Sequence, residues 1–221
     1  MKNFYCAILC LLLFCSCSKK NSNNPASTVT IDGRAYKTVK IGNRVWTSEN
    51  FDGSGGVALV SVDEGVYGKL YTWPEAQAIT LPAGWRIPTI ADFKDLILSQ
   101  GGSLDSNSWG MMALIDTALA KRFKSTANWT ISGNNATGFN AEPAGYYNYN
   151  LNIFDDTYAY ADFWGSTFTD HGINPTTQST LKLIGYFSSP GSGHEANVGA
   201  LIDQFEAGGK LSYSLRFVKD K

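Results

Sequence analysis

The sequence predicts an α+β domain in which two or three helices precede a half rich in strands and loops. Three observations carry that prediction. Short β-branched and aromatic runs, punctuated by Asp32-Gly33 and Gly42-Asn43, open the folded part. Helix-start patterns follow at Pro74 and Thr89, and from Gly138 onward the apolar period switches to two. Helices and strands are therefore segregated along the chain, which separates this class from an alternating α/β sheet. The 221 residues with 43% hydrophobic content suffice for a sizeable core, and 22 glycines with 17% charged residues suit a turn-rich domain.

The first element is "MKNFYCAILCLLLFCSCSKK". One lysine precedes an apolar run from Phe4 to Phe14 that is too short to span a bilayer, so residues 1–16 read as a signal peptide. Phe14-Cys15-Ser16-Cys17 resembles a bacterial lipobox, with Cys17, after a small residue, as the diacylated (palmitate-bearing) position; a plain cleaved signal is the alternative. The expected result is a lipoprotein of a Gram-negative cell envelope, anchored in the outer membrane. Lysines rather than an acidic run follow Cys17, which favours the periplasmic face over the cell surface. Residues 17–28 form a polar tether, and 29–221 are the folded domain. All four cysteines (Cys6, Cys10, Cys15 and Cys17) lie in the leader, which excludes disulfides, thiolate zinc sites and cysteine nucleophiles from that domain. A net charge of −1 without a basic block after the N-terminus argues against nucleic acid.

The remaining elements follow in order. Strands are expected near 28–31, 35–41 and 44–48. Pro74 suits the first turn of a short helix carrying Ala76 and Ile79. Thr89 caps a second helix, with Asp92 three residues on, a stripe of Phe93, Leu96 and Ile97, and Gly101-Gly102 as its stop. A third helix is expected over 109–123, with Met112, Ile115, Leu119 and Phe123 on one face. In "YYNYNLNIF", Tyr147, Tyr149, Leu151 and Ile153 alternate with asparagines, and "TYAYADFWGSTF", "STLKLIGYFSS" and "LSYSLRFVKD" also read as strands.

Six blocks carry a resemblance: "DGRAYKTVKIGNRVWTSENF", "YGKLYTWPEAQAI", "LPAGWRIPTIADFKDLI", "GFNAEPAGYY", "FWGST" and "SLRFVKD". In this order, over residues 32 to 220, they resemble the Fibrobacter succinogenes major paralogous domain family. The resemblance implies a secreted or lipidated envelope protein with a fold similar to the C-type lectin-like and formylglycine-generating-enzyme-like folds. It brings no enzymatic activity. Family members commonly carry two cysteines at places that here are Leu81 and Phe217, so the resemblance implies apolar packing instead of that disulfide.

The sequence offers few groups for catalysis. His171 and His194 are the only histidines, and "SPGSGHEAN" contains neither a G-x-S-x-G elbow nor the second histidine of a zinc helix. It reads as a surface loop. The copper-binding cysteine pair of formylglycine-generating enzymes is absent. No cofactor is implied; calcium is conceivable through Asp155, Asp156 and Asp162, although Asp155-Asp156 also reads as a turn and Ala144 replaces the asparagine of the lectin Glu-Pro-Asn motif. Trp46, Trp73, Trp85 and Trp164 read as core, and the "GWRIPT" corner as scaffold.

The tyrosine and asparagine strip has two readings. Either its apolar residues face the core, or exposed rings and amides form a recognition surface. On the second reading the binding residues are Tyr147, Asn148, Tyr149, Asn150, Tyr158 and Tyr160. The function expected is then non-catalytic recognition of a polysaccharide or an envelope protein. The alternative is a structural or assembly component with a protein partner only.

Overall fold

The computed structural model describes residues 27–59, 66–103, 105–106, 112–114, 117–168, 177–184, 200–206 and 210–221. The signal peptide, Cys17, both histidines and "SPGSGHEAN" lie outside the described residues. In chain order the elements are β1 (Thr28–Ile31), β2 (Arg34–Ile41), β3 (Arg44–Thr47), β4 (Val57–Ala58), β5 (Lys69–Leu70), α1 (Trp73–Ala78), β6 (Trp85–Arg86) and α2 (Ile90–Leu98). There follow β7 (Asp105–Ser106), β8 (Met112–Leu114), α3 (Thr117–Phe123), β9 (Tyr146–Asn148), β10 (Ile153–Asp155), β11 (Tyr160–Phe168), β12 (Thr177–Ile184), β13 (Ala200–Glu206), β14 (Leu211–Ser212) and β15 (Val218–Asp220).

The α+β, C-type lectin-like expectation is corrected: the fold is mainly β. Two five-stranded sheets, a three-stranded sheet and a two-stranded ribbon account for the strands. The described helices run only six, nine and seven residues. Helices of that length pack onto sheets but cannot form a layer of their own. The expected helix over 109–123 shows why the class was misread. Met112–Leu114 is a strand between β7 and β13, in register Met112↔Ile202 and Leu114↔Ala200, and only Thr117–Phe123 is helical. An open sheet edge supplied backbone partners, and tertiary context of this kind overrides helical periodicity.

The N-terminal strands form as the turn residues dictate. Asp32 and Gly33 both have positive φ (50° and 76°), the requirement of a type I′ hairpin between β1 and β2. Gly42 at φ 59° opens the β2–β3 turn, as a II′ turn needs. The C-terminal β15 then pairs with both β3 and β6, giving the order β1-β2-β3-β15-β6. The first two helices start at reciprocal caps: Thr72 with Glu75, and Thr89 with Asp92.

Three apolar clusters fill the interior. One joins Trp46, Phe93, Leu96, Ile97, Phe123 and Phe139. A second joins Tyr36, Phe51, Tyr71, Trp73, Trp164 and Phe217, with Leu81 packed against it. Leu81 and Phe217, the two positions expected to replace a disulfide with packing, thus share one cluster. The third, smaller cluster joins Leu59, Tyr67, Leu70, Ala144 and Tyr147. Trp46, Trp73 and Trp164 are core as expected, whereas Trp85 is half-buried at the rim of the second cluster.

Two polar knots tie the sequence blocks together. At the first, the guanidinium of Arg216 is wholly buried. It donates to Asn50 Oδ1 (2.7 Å), Thr47 O (3.0 Å), Phe139 O (2.8 Å) and Asn140 O (2.8 Å). It also lies 5.0 Å from the ring centre of Phe139 and 5.5 Å from that of Phe163. Burial pushes its pKa down to about 9, against the pull of Glu142 and Glu49. At the second knot, buried Asp92 caps α2, pairs with Arg86 and accepts from Arg44 Nε at 2.8 Å, while both arginines also reach Asp220. The residues of "WTSENF", "GFNAEPAG" and "SLRF" meet at Arg216, and those of "GNR", "GWRIPTIADF" and "VKD" meet at Asp92. These blocks hold the scaffold together.

Candidate functional site

The tyrosine and asparagine strip is a hairpin and not one strand. β9 and β10 pair Asn148↔Ile153, Tyr147↔Phe154 and Tyr146↔Asp155, with 149–152 as the turn. Local side-chain chemistry explains the break. The Asn148 carboxamide oxygen accepts from Asn150 N (3.0 Å) and Leu151 N (3.3 Å), bending the chain as an Asx turn does. Asn152 completes the reversal at φ 54° and accepts from the Tyr147 hydroxyl. β14 pairs with the other edge of β9.

The alternation therefore does not sort these residues by face. Tyr147 is buried at 9% exposure, but Tyr149 (43%), Leu151 (63%) and Ile153 (42%) are exposed. The expectation that all four face the core fails because the chain turns after Asn148. The Tyr149 ring stands on edge against that of Tyr147 at 4.7 Å, so a buried tyrosine props an exposed one.

Tyr158 adjoins the same third cluster through Tyr67. It is 43% exposed, and its ring meets that of buried Tyr67 edge-on at 6.4 Å. Its φ of 69° is an outlier for so bulky a side chain, and such strain persists only where the surroundings enforce it. Here its N–H donates to Pro143 O and its carbonyl accepts from Thr130 N, both at 3.0 Å. Gly145 lets the segment pass: a Cβ there would sit 2.0 Å from Asp155 O and 2.7 Å from Thr157 N. The Tyr67 hydroxyl is buried without a hydrogen-bond partner among the described residues, and burial raises its pKa to about 12.

The other expected residues are distributed as follows. Asn150 is exposed at the tip, and Tyr160 is half-buried in β11 opposite Ile184. Asp155 is exposed and accepts from the Tyr146 hydroxyl at 3.0 Å, raising that phenol to about 12 together with burial, the larger cause. Asp156 is half-buried in a turn at φ 57°, and Asp162 is fully buried in β11. Among the described residues no group of three His, Cys, Asp or Glu side chains is placed to hold a metal ion, so the three aspartates are not brought into one ligand set. Glu142 accepts from Ser125 Oγ (2.9 Å) and Asn140 Nδ2 (3.2 Å), and burial raises its pKa.

The outcome is a concentration of exposed apolar surface. Among the described residues six large hydrophobic side chains are exposed, and all but Leu98 (Val66, Tyr149, Leu151, Ile153 and Tyr158) adjoin the third cluster in sequence or in space. Residues 141–168 include four acids and no lysine or arginine. Of these acids Glu142 and Asp162 are buried, and exposed Lys210 borders the turn, its carbonyl accepting from Tyr149 N at 2.9 Å, so the surface is apolar with charges of both signs at its margin; two hollows lie elsewhere, along α1.

Among known proteins, the family model described as Fibrobacter succinogenes major domain matches residues 39–219. No curated protein and no solved structure matches the chain.

Proposed function

The chain belongs to the Fibrobacter succinogenes major domain family, and from that premise we propose that it is a non-catalytic binding lipoprotein of the cell envelope whose β9–β10 face docks on another envelope protein. One observation carries the reading: Tyr149, Leu151, Ile153 and Tyr158 are exposed together beside a buried aromatic cluster. Clustered exposed apolar side chains of this kind mark interaction surfaces, and tyrosine, with its apolar body and polar tip, is enriched in them. Aliphatic Leu151 and Ile153 pack against protein side chains and have no flat face to stack on a sugar ring. The margin carries Asp155 and Asp156 on one side and Lys210 beside Tyr149, which selects a partner surface that is apolar with charges of both signs at its rim. Cys17 supplies the lipid anchor and residues 17–28 the reach to the partner.

The test is site-specific photocrosslinking in the bacterium that makes the protein. A photoreactive residue at Leu151 is expected to give a discrete adduct that Ile153→Asp abolishes, with the crosslinked peptide rich in apolar residues. A probe at Leu98, exposed on α2 away from the cluster, is expected to give none. Equal adducts from both positions, or none from Leu151, would overturn the reading.

A further inference from the structure

The two hollows along α1 are assigned no role by the family or by the hairpin. The first, about 540 Å³, is walled by Asp32, Phe51, Ser54, Glu75, Ile79 and Thr80. The second, about 390 Å³, is walled by Trp73, Gln77, Ile79, Trp85 and Arg86. Ile79 is common to both, so they abut as one groove running past the C-terminal end of the helix. Each volume is in the range of small-ligand sites.

The first hollow is fixed before any ligand arrives. Asp32 Oδ2 accepts from Ser54 N at 2.6 Å. Glu75 accepts from Thr72 N (2.8 Å) at its own helix cap and from Gly56 N (3.1 Å) across the hollow. The two carboxylates thus pin loop 53–56 between the β1–β2 turn and α1, so little ordering entropy is left for binding to cost. The Ser54 N–H holds Asp32 below its ordinary pKa; for Glu75, burial acts upward but the bonds from Thr72 and Gly56 outweigh it. Both are anionic at neutral pH, and each keeps lone pairs for further donors.

The second hollow supplies the apolar wall. Lys219 Nζ lies 5.3 Å from the ring centre of Trp85, which is half-buried, and exposed Gln77 offers an amide beside it. The charge of Arg86 is already committed to Asp92 and Asp220. An anion entering the first hollow would meet two carboxylates, while the Lys219 ammonium at the second is held over the Trp85 ring. A ligand that suits the groove has hydroxyl donors for the carboxylates, an apolar ring face for Trp85, and no negative charge.

We infer that the α1 groove is a binding site for a neutral oligosaccharide, with Trp85 as its stacking platform and Asp32, Glu75 and Gln77 as its hydroxyl partners. This does not rest on the hairpin as a protein-docking face, and the two surfaces can fail separately. The test is calorimetric titration of the full-length protein in detergent with cellohexaose, mannohexaose, chitohexaose and hexagalacturonate. At least one of the three neutral hexasaccharides is expected to bind. Trp85→Ala should weaken it about ten-fold or more, the equivalent of about 1.4 kcal/mol. Gln77→Ala, at an exposed helix position, should weaken it a few-fold, and Leu151→Asp at the hairpin should leave it unchanged. Binding of none of the neutral probes, tighter binding of hexagalacturonate, or affinities that ignore both groove substitutions would each overturn the inference.

Discussion

Replacing Arg216 tests whether the scaffold depends on a buried fork of donors or only on a filled space. In Arg216→Met the acceptors Asn50 Oδ1, Thr47 O, Phe139 O and Asn140 O lose their donor in a site closed to water. Orphaning a buried acceptor costs about 1–3 kcal/mol, so four cost on the order of 8 kcal/mol. Relief from burying a charge works the other way. A pKa held down to about 9 from 12.5 corresponds to on the order of 5 kcal/mol of strain on the charged form. The net expectation is a loss of about 2–4 kcal/mol, a large share of the roughly 5–15 kcal/mol that holds a domain folded. Arg216→Lys keeps the buried charge but replaces the planar fork with a single ammonium that cannot span carbonyls placed for a guanidinium, so its loss is expected to be at least as large. Urea denaturation followed by tryptophan fluorescence measures both, through the midpoint at unchanged slope. If either variant stays within about 1 kcal/mol of the parent, the four bonds are not what keeps Arg216 in place, and the reasoning fails.

Two further outcomes follow from buried charges elsewhere. Lys124 is buried against Trp129, with its ammonium 4.1 Å from the ring centre, and burial lowers its pKa to about 8. The unfolded chain then holds more protons than the folded one between pH 8 and the ordinary lysine value of 10.5, so stability should rise with pH across that window. Lys124→Met should flatten the rise, and a stability that falls there would contradict the buried, strained ammonium. Asp92 is held well below the ordinary carboxylate range: burial acts upward, but Arg86, the Thr89 cap and Arg44 outweigh it. Its contribution is full above about pH 4 and is lost as acid approaches the depressed folded value. Asp92→Asn should cost about 3 kcal/mol at neutral pH, in line with breaking a buried pair, and should blunt the acid transition in a denaturation series from pH 2 to 7.

Legibility varied with the distance over which a residue acts. Thr89 and Asp92 cap α2 through bonds three residues apart, so the start of that helix could be read directly. The I′ turn at Asp32-Gly33 and the strands around it were legible for the same reason. Tyr149 was not, because its exposure depends on an Asx turn at Asn148 that breaks an otherwise regular alternation. An asparagine at every second position carried a signal for that turn, and alternation masked it. "GWRIPT" was scaffold in part, since Pro88 and Thr89 do set up α2. Trp85 in the same corner instead faces the groove, which becomes a groove only when α1 and loop 53–56 are brought beside it.

The sequence by itself determined the caps, the hairpin turns and the family, all carried by neighbouring residues or by the order of blocks along the chain. Tertiary structure alone decided the fold class, the meeting of Arg216 with Asn50 across 166 residues, and which tyrosines face water. The physical reason is that helix periodicity at 112–114 expresses a local preference worth a few tenths of a kcal/mol per residue. Pairing of β8 with β13 satisfies whole rows of backbone donors and acceptors, and only the folded chain brings that partner within reach.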